Sequence, residues 1–354
     1  MLFGYPLAAT NENWLHFCLC RVVKRVHILL DAGKLMPKWP TILPKAYREL
    51  FLRRKGLNRR VTAYANAALL LSQVERNEVL AVMKSQNRII DLLSGTHTCN
   101  PVDILPTAVR EPIRNLFDYG FERLTDFGVR DRQYRIIHKS LSYKICPFCG
   151  CEYFESTKGP REALDHYLAK SKYPFAASNL RNLAPMGYKC NSLYKKAKDI
   201  LYRDDGTRRK AFDPYNAPGL IPSLSRSVVN NGVNGGIISQ WIVDFSLAGE
   251  ETETWSSVFK IRERYERDFL DEHSFNAWLG EFQSWHKKSN HALVDDKTLL
   301  SAVNKYSEFL IDGGFNDRAF LKAALFKMLI EQCNAGHVRV LEVLRDLVGL
   351  PQPA

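Results

Sequence analysis

The feature that most constrains this chain is a group of closely spaced cysteines, Cys146, Cys149 and Cys151, in the segment ICPFCGC. Two thiolates separated by two residues can bind one metal ion from a single tight turn, and Gly150 permits the backbone to fold back after them. A Cys-x-x-Cys pair can also be a redox pair, but the βαβ pattern of thioredoxin-like proteins does not surround this one. We therefore predict a tight metal-binding hairpin here.

A structural zinc site needs four ligands, and Cys190, in the segment YKCN, is the obvious third beside Cys146 and Cys149. A second Cys-x-x-Cys pair would place a cysteine at position 187, where this chain has Gly187. The fourth ligand is then Cys151, a histidine or a water molecule, and the alternative is that zinc has been lost. We predict structural Zn²⁺ at these cysteines.

The rest of the chain predicts a mainly α fold with a small α+β module. Apolar residues recur at helical spacing as far as about residue 140, for example in NWLHFCLCRVVKRVHILLDAG, and again from TETWSSVFK onwards. Between these regions, KCNSLYKKAKDILY predicts a helix, GLIPSLSRSVVNNGVNGG a loop or hairpin tip, and IISQWIVDFSL strands. We expect a helical N-terminal domain (1–140), a small module (141–216) and a mostly helical C-terminal domain (217–354).

The composition favours a polyanionic partner. The chain has 50 Lys and Arg against 38 Asp and Glu, a formal net charge of +12. Such an excess is typical of proteins that bind nucleic acid or an acidic membrane surface. On charge alone, a basic surface that merely faces solvent explains the excess about equally well. We find no signal peptide and no apolar run long enough to insert into a membrane. We therefore expect a cytoplasmic protein with reduced thiols.

The segment LDHYLAKSKYP places the carboxylate of Asp165 directly before His166. A histidine can accept a proton from water at neutral pH, and a carboxylate beside it can hold a hard cation such as Mg²⁺. Adjacent side chains on a regular strand face opposite ways, so both can serve one site only where the backbone bends. Taken alone, this dipeptide is more often a surface pair.

Four further polar residues follow in NLRNLAPMGYKCNSLYKK. Asn182 can fix a loop by bonding to neighbouring backbone groups. Asn191 is either the N-cap of a helix or an oxygen ligand to the metal of Asp165. Lys195 and Lys196 lie in the first turns of the predicted helix, where phosphate is favoured.

Together, the segments CPFC, LDHYLAKSKYP and NLRNLAPMGYKCNSLYKK resemble the HNH endonucleases, the ββα-metal nucleases, in the variant whose last letter is asparagine. The resemblance covers about a fifth of the chain, and order, spacing and residue type agree at several points. It implies a ββα-metal core with a treble-clef-like zinc knuckle between the two helical regions, and an enzyme that hydrolyses phosphodiester bonds in DNA.

The resemblance also implies a role for each matching residue. His166 matches the general base, Asn182 the residue that holds the catalytic loop, and Asp165 and Asn191 the ligands of a catalytic Mg²⁺ or Mn²⁺. Lys195 or Lys196 is then placed to hold a flanking phosphate. Cys146, Cys149 and Cys190 match knuckle cysteines. The chain departs from the pattern at Gly187, where a cysteine is expected, and at Ala169, where similar sequences tend to have proline.

Two classes of function follow. The first is a metal-dependent endonuclease that nicks or cuts DNA and acts, by analogy, as the effector of a phage-defence system with a controlling protein partner. The second is a non-catalytic nucleic-acid-binding or scaffold protein with a degenerate HNH module, which the departures at Gly187 and Ala169 favour. RNA is an alternative substrate.

Overall fold

A computed structural model describes residues 1–159, 162–230, 236–289 and 293–352. The chain divides into two compact units. The first contains Met1 and residues 3–146 and 153–217, and the second contains Leu2 and residues 147–152 and 218–354. The predicted boundary at residue 140 therefore falls inside the first unit, where the N-terminal helices and most of the predicted module fold together.

Helices dominate both units. In the first unit they are α1 (Trp14–Asp31), α2 (Arg48–Phe51), α3 (Lys55–Leu69), α4 (Gln73–Gln86), α5 (Ile89–Leu93), α6 (Thr107–Asp126) and α7 (Val129–Ser140). In the second they are α8 (Glu250–Phe259), α9 (Ile261–Phe269), α10 (Glu272–Ser289), α11 (Asp296–Gly313), α12 (Ala319–Asn334) and α13 (Val338–Val348). The prediction of a mainly α protein is confirmed.

The first unit is built on the apolar face of α1. This helix buries side chains at helical spacing, namely Leu15, Cys18, Leu19, Val22, Val23 and Val26. An apolar stripe of this width must be covered by other elements, and α3, α4 and α6 contribute to the same core. Each fully buried Leu or Val contributes about 1.5–3 kcal/mol through removal of its surface from water.

The predicted module shares this core. Phe175, Leu180 and Leu183 are buried in the same cluster as the helices, and the ring of Phe175 meets that of Phe117 edge-on, with 5.2 Å between centroids. The module therefore has no separate apolar core among these residues. Its conformation depends on the N-terminal helices.

Two short strands and a seven-residue π-helix form the centre of the module. Strand β1 (Leu164–His166) pairs antiparallel with β2 (Leu183–Pro185), with His166 opposite Leu183. The π-helix follows at Lys189–Lys195. We predicted a longer helix over KCNSLYKKAKDILY, and this is wrong in length: only the first half is helical, with the wider π-type turn.

The second unit consists of helices and two small antiparallel pairs. Strand β3 (Pro222–Ser223) pairs with β6 (Asp244–Phe245), and β4 (Val228–Val229) with β5 (Ile238–Gln240). The strand prediction for IISQWIVDFSL is thus confirmed, whereas residues 231–235 of the predicted hairpin tip lie outside the described residues. Rings of Phe282, Tyr306 and Phe326 form an aromatic core, with centroids 4.9–5.7 Å apart.

The helix boundaries of the first unit follow local signals that the periodicity alone misses. Apolar residues recur at helical spacing through NRRVTAYANAALLLSQVERNEVLAVMKSQ with no glycine or proline, but the structure ends α3 at Leu69 and starts α4 at Gln73. There the Ser72 hydroxyl accepts a hydrogen bond from the backbone N–H of Glu75, whose carboxylate accepts one from the N–H of Ser72. This capping box satisfies two N–H groups that a new helix leaves without partners, so it starts α4. None of the helices within the described residues is long and apolar enough to cross a membrane.

Helical glycines give a test of the packing. A Cβ at Gly120 of α6 would collide with Leu19 Cδ1 of α1, whereas a Cβ at Gly280 of α10 meets no atom within 4 Å. We expect Gly120→Ala to destabilise the first unit by about 1–3 kcal/mol through overpacking. We expect Gly280→Ala to stabilise the second unit by about 0.4–1 kcal/mol, because it restricts the unfolded chain. Thermal melts of both variants measure the effects, and equal shifts of the same sign would contradict this account of the α1–α6 contact.

Candidate functional site

The residues predicted to be catalytic lie on β1, in the short 3-10 helix Leu180–Asn182 and in the π-helix. Asp165 and His166 are the last two residues of β1, Asn182 directly precedes β2, and Asn191 and Lys195 lie in the π-helix. Lys195 links two of these elements, because its Nζ lies 2.8 Å from Asp165 Oδ2 and donates a hydrogen bond of 2.8 Å to the carbonyl of His166.

His166 is held in one orientation and one tautomer. Its Nε2 lies 3.0 Å from the carbonyl oxygen of Ala177. A carbonyl can only accept a hydrogen bond, so Nε2 carries the proton and Nδ1 of the neutral ring keeps its lone pair. Nδ1 is therefore the ring nitrogen that can accept a hydrogen bond.

The surroundings of His166 keep the imidazole neutral. The side chain is buried, and the ring of Phe121 on α6 lies against it with 4.2 Å between centroids. Burial is the main cause that lowers the pKa of His166 to about 3. The positive charges of Lys170, Lys195 and Arg130 act in the same direction. Burial and the surrounding positive charges therefore both disfavour the protonated ring.

The helices supply part of this environment, which the sequence did not indicate. Arg130 of α7 lies over the ring of Phe121, 3.6 Å from its centroid to Cζ, and Lys170 Nζ lies 5.9 Å from the same centroid. Lys170 also pairs with Asp118 of α6 at 3.1 Å. Nothing in the spacing of Phe121 and Arg130 marks them, because their role depends on how α6 and α7 pack against the hairpin.

Asp165 is a largely buried carboxylate with a single cation beside it. Its side chain is 13% exposed, and that of Lys195 is 1% exposed. Burial raises the pKa of Asp165, and the Lys195 ammonium opposes this shift. Oδ2 lies 2.8 Å from Lys195 Nζ and accepts no hydrogen bond from any other group of the described residues. A carboxylate oxygen is a preferred ligand of hard cations, so Oδ2 could hold a metal ion in place of the ammonium.

Asn182 fixes the loop that follows His166. Its Oδ1 accepts a hydrogen bond of 2.7 Å from the backbone N–H of Leu168, and its Nδ2 donates to the carbonyls of Leu168 and Ala176, at 3.1 and 3.3 Å. The side chain is fully buried. These bonds therefore give partners to polar groups whose burial without a partner would cost free energy. Asn182 thus joins both ends of the segment 168–176, directly before the carbonyl of Ala177 that orients His166.

Polar side chains from the helical region hold the next part of the same loop. Asn13 donates to the side chain of Asn179 at 2.8 Å and accepts from the N–H of Leu180 at 3.0 Å. Gln133 of α7 donates to the carbonyls of Leu180 and Leu183, both at 3.2 Å. These buried amides are positioning residues that the sequence analysis missed, and isolated Asn and Gln residues in helical segments gave no signal.

Asn191 and Lys196 are less enclosed. Asn191 is half-buried, and its carbonyl accepts a hydrogen bond of 2.8 Å from the N–H of Lys196, which closes the π-helical turn. Lys196 is exposed and has a positive φ of 49°. The two predicted phosphate-binding lysines therefore differ: Lys196 faces solvent, whereas Lys195 is buried against Asp165.

Three of the predicted zinc ligands come together. The Sγ atoms of Cys146, Cys149 and Cys190 all lie within 4.8 Å of one another, and all three residues are buried. Thiolates about 2.3 Å from a common ion are separated by distances of this order, so the cluster can bind a metal ion such as zinc. The eight cysteines form no disulfide.

The other two positions considered for a fourth ligand, Cys151 and Gly187, contribute no thiol to this cluster. Cys151 does not belong to the thiol cluster, and its Sγ instead donates to the carbonyl of Cys149 at 3.1 Å. Gly187 lies beside the cluster, because its backbone N–H donates to Cys146 Sγ at 3.4 Å. The position where the resemblance expects a cysteine is thus adjacent to the thiols, although glycine contributes only a backbone contact.

Two basic segments of the sequence, RRKGLNRR (53–60) and YKKAKDILYRDDGTRRK (194–210), could contact nucleic-acid phosphates, but several of their arginines have partners inside the fold. Arg208 donates to the carbonyls of Leu92 and Leu201, and Arg209 donates to those of Asp199 and Tyr202. In the segment 53–60, Arg54 pairs with Asp126 at 2.8 Å. The positive charge of these three residues therefore has internal partners, which weakens the case for them as phosphate contacts.

Comparison with known proteins gives no relative. No protein-family model, no curated protein and no solved structure matches the chain. What this site does must therefore be argued from its own geometry.

The thiol cluster yields a prediction on metal binding. We expect the purified protein to bind one Zn²⁺ per chain and Cys190→Ser to lower both the zinc affinity and the melting temperature, because metal binding contributes to folding. Gly187→Cys should add a fourth thiolate, so the charge-transfer absorption of the Co²⁺-substituted protein should increase. Gly187→Ala is the matched control and should leave it unchanged. Zinc content equal to background in the wild type would contradict the prediction.

A second prediction concerns the loop clamp. Asn182→Ala leaves the buried N–H and carbonyl of Leu168 without a partner, so we expect a loss of about 1–3 kcal/mol in stability. Asn13→Ala, which removes a clamp further along the loop, should have a cost of similar size. Only Asn182→Ala should also change the NMR signals of the His166 imidazole, since Asn182 fixes the segment up to Ala177. An unperturbed imidazole in a folded Asn182→Ala variant would argue against this role.

Proposed function

We propose that this protein is a metal-dependent endonuclease of the HNH type, in which His166 activates water to hydrolyse a phosphodiester bond. The observation that carries the proposal is the orientation of His166. Its Nε2 donates to the carbonyl of Ala177, so the neutral ring has its lone pair at Nδ1.

The order of elements supports the same proposal. An antiparallel pair, β1 and β2, carries Asp165 and His166 on the first strand, and a short helix with Asn191 follows the second strand. The hydrogen bonds of Asn182 across the loop agree with the role that the resemblance implies for the central asparagine.

Each residue of the site has a proposed role in the reaction. His166 accepts a proton from water at Nδ1, and Asn182 keeps the ring aligned through the loop. Lys196, which is exposed, holds a flanking phosphate. Asp165 and Asn191 would hold Mg²⁺ or Mn²⁺, which, when bound, stabilises negative charge on the phosphoryl and leaving oxygens. We also propose zinc as the ion of the thiol cluster, where it stabilises the module.

DNA is the proposed substrate, and phage defence with a protein partner in the cytoplasm is the proposed setting. Both come from the resemblance of the sequence to HNH effector nucleases and from the net charge of +12. A single site of this type cuts one strand, so a nick is the expected primary product. The second candidate function is nucleic-acid binding without cleavage, which Lys195 favours because it already neutralises the carboxylate that a catalytic metal needs.

The test is cleavage of supercoiled plasmid by zinc-loaded protein with Mg²⁺ or Mn²⁺. We expect metal-dependent nicking that EDTA stops. His166→Ala should lower the rate by at least about 100-fold, which is the usual contribution of a general base. His273→Ala, at an exposed position of α10, is the matched control and should cleave at the wild-type rate.

Binding and cleavage must be measured separately. We expect His166→Ala to bind a fluorescent DNA duplex as tightly as the wild type, since the variant changes neither net charge at neutral pH nor the exposed lysines. Cleavage by His166→Ala at a normal rate would refute the assignment. Metal-independent binding with no cleavage of either DNA or RNA would instead support the second candidate.

A further inference from the structure

The charged side chain of Lys195 is buried inside the protein. Its side chain is 1% exposed, in the last turn of the π-helix. Removing an ammonium from water has a large free-energy cost, and such groups persist in protein interiors only with a close charge partner and hydrogen-bond acceptors. Lys195 has both: the carboxylate of Asp165 and the carbonyl of His166.

These two partners are the residues of the proposed nuclease site, so Lys195 is not an incidental ion pair. The ammonium lies 2.8 Å from Asp165 Oδ2, within the space where a cation bound to that oxygen would lie. Metal–oxygen distances for Mg²⁺ are about 2.0–2.1 Å, so the ammonium and the ion cannot both contact Oδ2 at close range. A divalent cation and Lys195 must therefore compete for this oxygen.

We infer that Lys195 is an internal counter-ion that occupies Asp165 in the free protein and must withdraw before a divalent cation binds there. This inference rests on the proposed function, because it assigns Asp165 as a ligand of the catalytic cation. It changes the role predicted from the sequence, where Lys195 was a phosphate contact. It also makes Lys195 a positioning residue that acts through Asp165.

The charges around the site link this exchange to the substrate. Asp165 is the carboxylate of the proposed metal site, and Lys195 neutralises it. Arg130 and Lys170, the latter paired with Asp118, add positive charge near His166. A divalent cation that enters without an anion therefore meets a carboxylate already neutralised by Lys195 and further cations nearby, with no negative charge left to attract it. Nucleic-acid phosphates supply the missing negative charge, so the cation and the nucleic acid should bind cooperatively, and each should raise the affinity of the other by the same factor.

The backbone next to Lys195 can accommodate the withdrawal. The residue that follows, Lys196, has φ 49° and ψ −130°, a conformation that is costly for a residue with a side chain. Its N–H closes the π-turn on the carbonyl of Asn191, so one turn contains both Lys195 and the second proposed ligand. A rearrangement that relaxes Lys196 would move Lys195 and reorient Asn191 together.

The experiment measures binding of Mn²⁺ by electron paramagnetic resonance, with zinc-loaded full-length protein and no nucleic acid. The wild type should bind Mn²⁺ weakly. Lys195→Met, which keeps the length of the side chain and removes its charge, should bind at least about tenfold more tightly because Asp165 loses its competitor. Lys139→Met removes a charge of the same sign at an exposed position of α7, away from the proposed site residues, and is the matched control, which should resemble the wild type.

Two further arms complete the test. Asp165→Asn in the Lys195→Met background should remove the gain, which locates the ion at this carboxylate. In His166→Ala protein, which we expect to leave DNA intact, addition of a short duplex should raise the Mn²⁺ affinity. A folded Lys195→Met protein with wild-type affinity would overturn the inference, as would tight, Asp165-dependent binding of Mn²⁺ by wild-type protein without nucleic acid.

The second of these outcomes needs no variant of Lys195, so the inference can be decided even if Lys195→Met fails to fold. The binding measurement is also independent of cleavage. If plasmid stays intact but Lys195→Met shows the gain, the proposed nuclease activity fails while the counter-ion role stands. If plasmid is cut but Lys195→Met shows no gain in Mn²⁺ affinity, the nuclease activity stands and the counter-ion role fails.

Discussion

The site depends on the three hydrogen bonds made by the buried side chain of Asn182. They join Leu168 to Ala176 and so fix the loop that begins two residues after His166. The carbonyl of Ala177, at the end of the same loop, selects the tautomer of His166. Loss of this clamp would free both the ring and its acceptor, because the strands on either side are only three residues long.

Burial of these polar groups is possible only because the N-terminal helices surround them. Asn13 and Gln133 bond to the loop backbone, and Phe121 covers the ring of His166. An isolated two-stranded hairpin is marginal in water, and this one obtains its core from the helices. The region before residue 140 is therefore part of the candidate site. It both supports the loop and supplies Arg130, one of the cations near His166.

The thiol cluster has a related structural role on the other side of the hairpin. Cys190 lies in the π-helix, and the N–H of Gly187, just after β2, donates to Cys146. A metal ion at these thiols would fix the start of the π-helix relative to the strands. Asn191 directly follows Cys190 in the chain, so the same constraint would position the proposed ligand. Zinc and the catalytic residues would thus be coupled through adjacent residues, without direct contact between the two sites.

The sequence by itself determined the mainly α class, because helical periodicity is a local pattern. It also predicted a common site for Cys146, Cys149 and Cys190 from their residue type, and the resemblance to HNH nucleases grouped Asp165, His166 and Asn182. Tertiary structure decided the rest. The pairing of Lys195 with Asp165 joins residues thirty positions apart on different elements. From the sequence alone, a lysine in a basic segment is interpreted as a solvated or phosphate-binding side chain. Likewise, Phe121 and Arg130 reach His166 only through helix packing. Contacts of this kind depend on which faces of distant elements meet, and no local pattern encodes that choice.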